Sequence, residues 1–204
     1  MLKKLTLLTA SAVASMAMHS AELNINDKDL EIGAKFDVGQ FNQNVEPDTM
    51  FIGASFFSPD ATNSLDNLSA TSIDPYFEGN FLIMRPVGNG SVRLGFGVKL
   101  NYTKSFAQDF SALPLGLELA YTIPAEKLVP MYVQASVYYA PQVLSFLDAK
   151  NYLEYRLYYN VEMIENVTLK VGYRRMDLSY ETFSSSNDTV NYNSSFYFGV
   201  KVDF

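Results

Sequence analysis

The side chains in this chain that could do chemistry are acids and bases set at even spacing. Glu31, Lys35 and Asp37 follow this rule, as do Arg93 and Lys99, Glu154 and Arg156, Lys170 and Arg174, and Lys201 and Asp203. Glu78 and Glu118 stand singly in similar runs. A β-strand turns successive side chains to opposite faces, so evenly spaced residues share one face. The set holds six acids and seven bases, a near balance in a chain whose formal charge is −7. Such pairs suggest two kinds of chemistry. Glu154 with Arg156, or Glu31 with Asp37, could act as acid and base, but opposite charges also form structural ion networks. Asp27-Lys28-Asp29 and Asp60 with Asp66 lack the ligand density of a calcium loop. Gly95-Phe96-Gly97 is not a nucleotide fingerprint; glycines there suit the interior of a narrow barrel. There is no cysteine, and the one histidine is His19. No catalytic residue, metal or cofactor is assigned, and an enzymatic role is not expected.

The charged face must be positioned by strands, and the strands begin after a leader. Lys3 and Lys4 precede an apolar or small run from Leu5 to Met18, then His19-Ser20-Ala21 and the acidic Glu22. This pattern predicts a secretory signal peptide over 1–21, cut after Ala21. The apolar run is too short to cross a bilayer as a helix. Loss of the leader would also remove His19. The remaining chain would then have neither imidazole nor thiolate, which excludes Ser–His and Cys–His nucleophiles and their metal sites. An acidic chain is also a poor match for a phosphate backbone, so no nucleic-acid partner is expected.

From residue 22 onward the chain alternates. Val92, Leu94, Phe96, Val98, Leu100 and Tyr102 oppose Arg93, Gly95, Gly97, Lys99 and Asn101. Similar runs cover 30–38, 50–56, 73–83, 113–122, 131–139, 153–161, 167–174 and 195–204. The prolines fall in connections or at strand starts, as an element that cannot donate to a ladder must. In the final run Phe196, Phe198, Val200, Val202 and Phe204 form one apolar face that ends on the last residue. That face is expected to serve as an assembly signal read by barrel-assembly machinery.

Alternation alone does not say which face is inside. Three features favour an apolar face turned to lipid over a soluble β-barrel or sandwich. The balanced charges suit a low-dielectric lumen in which each needs a partner. The runs match the about 9–11 residues that span a bilayer as a strand. Tyr102, Tyr121, Tyr139 and Phe204 sit at the ends of apolar faces, as aromatic girdles do. The fold class is therefore all-β: a single antiparallel up-and-down transmembrane β-barrel over 22–204, closed by its C-terminal strand. Nine long runs are visible. Counting Glu22–Ile25 gives ten strands, the preferred number; eight is the alternative.

Several short stretches resemble the YfaZ family of bacterial outer-membrane proteins. They are Leu30-Glu31-Ile32-Gly33, Phe51-Ile52-Gly53-Ala54-Ser55-Phe56, Tyr138-Tyr139-Ala140-Pro141, Val171-Gly172-Tyr173-Arg174, and the alternating end at Phe204. The resemblance implies a barrel in the outer membrane of a Gram-negative cell and supplies no catalytic residues.

The expected partners are outer-membrane lipid and the assembly machinery, with a monomer as the expected state. The leading expectation for function is a narrow barrel filled by paired charges and by Tyr132, Tyr138, Tyr158 and Tyr197, with a role in envelope integrity or surface contact. The alternatives are a porin-like small-solute channel and a soluble periplasmic binding barrel.

Overall fold

The computed structural model describes residues 19–59, 74–105, 108–124, 129–180 and 188–204. Most of the leader, the Asp60 and Asp66 pair, and parts of the loops expected at 58–72, 103–111, 124–130 and 181–190 lie outside the described residues.

The described residues form twelve strands: β1 (Ser20–Ile25), β2 (Asp29–Asp37), β3 (Met50–Pro59), β4 (Tyr76–Val87), β5 (Val92–Ser105), β6 (Gln108–Ala112), β7 (Leu115–Ile123), β8 (Met131–Ala140), β9 (Ser145–Leu147), β10 (Ala149–Ile164), β11 (Val167–Tyr180) and β12 (Asp188–Asp203). Neighbours pair antiparallel in the order β4-β3-β2-β1-β12-β11-β10-β8-β7-β5, and the β4–β5 pairing closes the ring. Ten strands thus make a closed barrel. The short β6 and β9 lie outside it, β6 on the far end of β5 and β9 on β6.

Closure gives each of these ten strands a neighbour on both sides, although β12 runs past the end of β1 beyond Phe198, and each strand keeps its alternation around the wall. Leu23, Ile32, Ile52, Phe77, Leu94, Phe96, Leu117, Val137, Leu157, Val171, Phe196 and Phe198 all point outward and are exposed. Their inward neighbours include Glu31, Glu78, Lys99, Glu154, Lys170 and Arg174, all buried. The outer surface is an apolar belt that crosses every barrel strand, and the interior is polar.

The two ends of the barrel differ. The first described residues and the C-terminus lie at one end, where Ser20 pairs with Asp203. The tight turns at 88–91 and 165–166 are also there. Gly88 and Gly90 take φ of 64° and 86°, and Asn166 takes 67°, a region open to Gly and tolerated by Asn. The connection 38–49 between β2 and β3 lies at the end of the termini, while the opposite end carries β6, β9 and the connections after β3 and β11. Beyond the rest of the wall there, β10, β11 and β12 extend as a tall panel of 14–16 residues per strand.

Four details differ from the sequence expectation. The hairpin turn is 26–28, and Asp29 belongs to β2, so its side chain faces inward. The stretch 103–111, expected as a loop, is largely strand, because β5 runs on to Ser105 and β6 folds back on it. The strand expected from Ile73 begins at Tyr76 and extends to Val87, so Pro86 pairs with Arg93 next to the turn. The connection 141–148 contains β9 and a single 3-10 turn at Gln142–Leu144.

Glycine shapes the interior at one place above others. A Cβ added to Gly97 would overlap the end of the Tyr138 ring, and one added to Gly116 would meet its base. Tyr138 cannot swing aside freely, because its hydroxyl donates to Glu118 Oε1 at 2.6 Å and its ring lies 4.2 Å beneath the Lys99 ammonium. Gly97→Ala is therefore expected to cost about 1–3 kcal/mol of unfolding free energy by overpacking, measured by urea unfolding. In a Tyr138→Leu background the same change should cost little. Equal costs in both backgrounds would show that the ring is not the obstacle.

Candidate functional site

The lumen is built in layers, set by the distance of each inward residue from the termini. Nearest the loop end, which carries β6 and β9, is an apolar cap of Phe57, Tyr76, Phe110, Tyr152, Leu178 and Tyr180. Phe110 comes from β6, whose fold over the loop end places its ring 5.5 Å from Tyr180 and 6.1 Å from Tyr152. Tyr76 donates its hydroxyl to that of Tyr152 at 3.0 Å.

Beneath the cap lies a continuous ionic network. Arg156 on β10 is its hub. Its Nη1 donates to Glu31 Oε1 at 2.8 Å, its Nη2 to Glu78 Oε2 at 3.3 Å, and its Nε to Glu154. Glu31 and Glu78 stand on β2 and β4, each four strands round the wall from β10, so these bonds cross the lumen. Lys99 holds Glu78 at 3.0 Å and Glu154 at 2.9 Å. Arg174 bridges Glu31 and Asp29, each at 2.6 Å. Tyr152 donates to Glu154 at 2.7 Å, and Asn24 to Glu31 at 2.9 Å. Charge-assisted bonds of this kind are the strong ones, and in a confined lumen each ion needs such a partner. The cation faces also stack: the Arg174 guanidinium lies 4.6 Å over the Phe57 ring.

Below the network, toward the termini, the filling loosens. A cavity of about 290 Å³ is lined by Glu22, Lys35, Arg93, Lys170 and Lys201, among others. Glu22 pairs with Lys170, and Lys201 pairs with Asp203 at 3.0 Å. Lys35 has no carboxylate within ion-pair distance among the described residues, and its ammonium sits 5.4 Å over the Phe51 ring. Tyr132 and Tyr158 line this cavity.

The thirteen charged positions therefore divide. Glu31, Glu78, Lys99, Glu154, Arg156 and Arg174 come together in the network. Lys35, Lys170 and Lys201 line the cavity. Glu118 is inward but takes Gln134 and Tyr138 as donors rather than a cation. Asp37 belongs to the rim instead, and Arg93, which also lines the cavity, reaches that rim. Asp37 accepts the backbone N–H groups of Gly39 and Asp48, and Arg93 donates to the Asp48 carbonyl. Asp203 stays at the same rim with Lys201. Sequence reasoning missed two inward acids, Asp29 in the network and Glu22 in the cavity. Asp29 keeps even spacing with Glu31, and Glu22 keeps it with Asn24, but Asp29 stands in a turn-like acidic cluster and Glu22 in a run too short to show a period.

A closed ten-stranded antiparallel barrel, apolar outside and filled inside by a charged network, is the class that this geometry defines. A family model described as YfaZ precursor matches residues 4–204, and the chain belongs to that family. Among curated proteins, none matches it.

The network carries a stability prediction. Arg156→Met keeps much of the side-chain length but leaves Glu31, Glu78 and Glu154 short of a cation. The expected loss is about 3–5 kcal/mol in urea unfolding, as for breaking one partner of a buried pair. Arg175, whose partner Asp177 lies 2.8 Å away on the outside of the wall, serves as the control. Arg175→Met should leave the midpoint unchanged.

Proposed function

We propose that this protein is an integral outer-membrane barrel with a sealed lumen, acting in envelope integrity or surface contact and not as a pore or an enzyme. The observation that carries the reading is the cross-lumen network under an aromatic cap. A solute entering from the loop end would have to displace Phe110, Tyr152 and Tyr180 and then separate Arg156 from three carboxylates. That opposes the small-solute channel. The continuous apolar belt opposes the soluble periplasmic barrel, because soluble proteins rarely expose apolar patches beyond a few hundred Å². The family's description as a precursor fits a secreted chain with a cleaved leader.

In this orientation the termini, the tight turns and the connection 38–49 face the periplasm, and β6, β9 and the connections after β3 and β11 face outward. A surface-contact role has a specific feature behind it. At the outer end, Phe146 and Leu147 of β9 and the nearby Val143 stand exposed, Val143 at 79%. The acids of the network are held by cations and by donors, which suits structure better than proton transfer. A monomer is proposed, with lipid against the belt.

The C-terminal strand is proposed as the segment read by the assembly machinery. Phe196, Phe198, Val200 and Phe204 face outward and are exposed, and Val202 shares their side of the strand. Deleting Phe204 should lower membrane insertion much more than Asp203→Asn does; equal effects would remove that role.

The sealed reading is tested in planar bilayers with protein whose fold is verified by heat-modifiable migration from membrane fractions. No steady channel openings are expected. Steady openings that disappear in Arg156→Ala or Glu154→Ala variants would replace the sealed barrel with a channel.

A further inference from the structure

The β1–β12 seam that closes the barrel also bears on where the mature chain begins. β1 is the shortest strand of the ring, six residues from Ser20 to Ile25. Its first two residues are paired on both sides. Ser20 faces Asp203 and Lys35, and Ala21 faces Val202 and Ala34. The pairing extends one residue further. The His19 N–H donates to the Lys35 carbonyl at 2.8 Å, and the His19 carbonyl accepts the N–H of the terminal Phe204 at 3.0 Å. The His19 ring packs against Phe51 with centroids 5.6 Å apart. Residues 19–21 are thus part of the barrel wall.

A cut after Ala21 would remove them. β1 would shrink to Glu22–Ile25, and the ends of β2 and β12 would lose their partner strand where the ring closes. The new α-ammonium would sit on Glu22, within the ladder and beside the carboxylate that holds Lys170. Backbone groups at a membrane barrel seam have few other partners to turn to.

The sequence upstream offers a better bond. A leader cleavage site needs small residues at its last position and two before it. For a cut after Ala21 those positions are Ala21 and His19, and an imidazole is not small. For a cut after Ala17 they are Ala17 and Ser15, both small; a cut after Ala14 also meets the rule with Ala12, and Ala17 is the one of the two nearer to β1. The apolar stretch left in the leader, Leu5–Val13, fits the usual span of about 7–15 residues.

We infer that a leader peptidase cuts the Ala17–Met18 bond. Water adds across that peptide bond, leaving the new carboxylate on Ala17 and the new amine on Met18. The mature barrel then keeps His19 at its periplasmic mouth, with Nε2 3.7 Å from Asp48 Oδ1. This revises the expectation that the mature chain has no histidine.

The test is the mass of the intact protein purified from outer membranes, with the N-terminal peptide sequenced. A chain beginning at Met18 is expected. A chain beginning at Glu22 or Ser15, or an uncut chain, overturns the assignment. Two variants separate the sites in the same cells. Ala17→Leu should block or greatly slow processing. Ala21→Leu should leave it unchanged, and the barrel should still fold, since Ala21 shares the outward face with Leu23. Loss of processing in Ala21→Leu alone would also overturn the inference.

Discussion

The rest of the structure depends on the burial of charge inside a closed ring. A ten-stranded barrel has just enough interior for side chains, and nearly every charge placed there must find a partner across or along the wall. Arg156 meets that demand for three carboxylates at once. Because Glu31, Glu78 and Glu154 come from β2, β4 and β10, one guanidinium ties together three separated parts of the wall. Each of those strands is already fixed to its neighbours by backbone pairing. The network therefore adds what the ladder cannot, a set of bonds across the diameter. It also favours one register, since a shift of one residue would turn every inward ion out to the apolar face.

The layers give the lumen a direction. The aromatic cap and the network fill the loop end, while the end near the termini holds the cavity. Two features keep the filling tight. Gly97 and Gly116 leave the space that the Tyr138 ring occupies, and β6 carries Phe110 over the top of the wall. The result is a blind recess that opens toward the termini and is blocked at the network.

Much of this was legible in the alternation. A period of two, sustained over Val92–Tyr102 or Ser195–Phe204, requires a two-environment strand, and the charges mark one of its faces. The barrel and its ten strands follow from repeating that pattern. The pairs themselves were not legible. Arg156 and Glu31 are 125 positions apart in the chain and meet only because of the register and stagger of the closed ring. Asp29 was missed because an acidic cluster reads as a turn, although the strand begins on it. β6 and β9 were missed because they are too short to show a period, and their pairing is decided by the wall beside them. Asp37 and Arg93 kept the right spacing but lie where the strands end, so the rim backbone claims them.

The most direct measurement of the sealed, one-sided lumen uses the absence of cysteine from the sequence. Ser55 lines the cavity next to Lys35. With Ser55→Cys as the only thiol, a membrane-impermeant maleimide should label the barrel when supplied from the periplasmic side and fail when supplied from outside. Labelling from outside at a similar rate would mean that solutes pass the cap and the network, and would contradict the account.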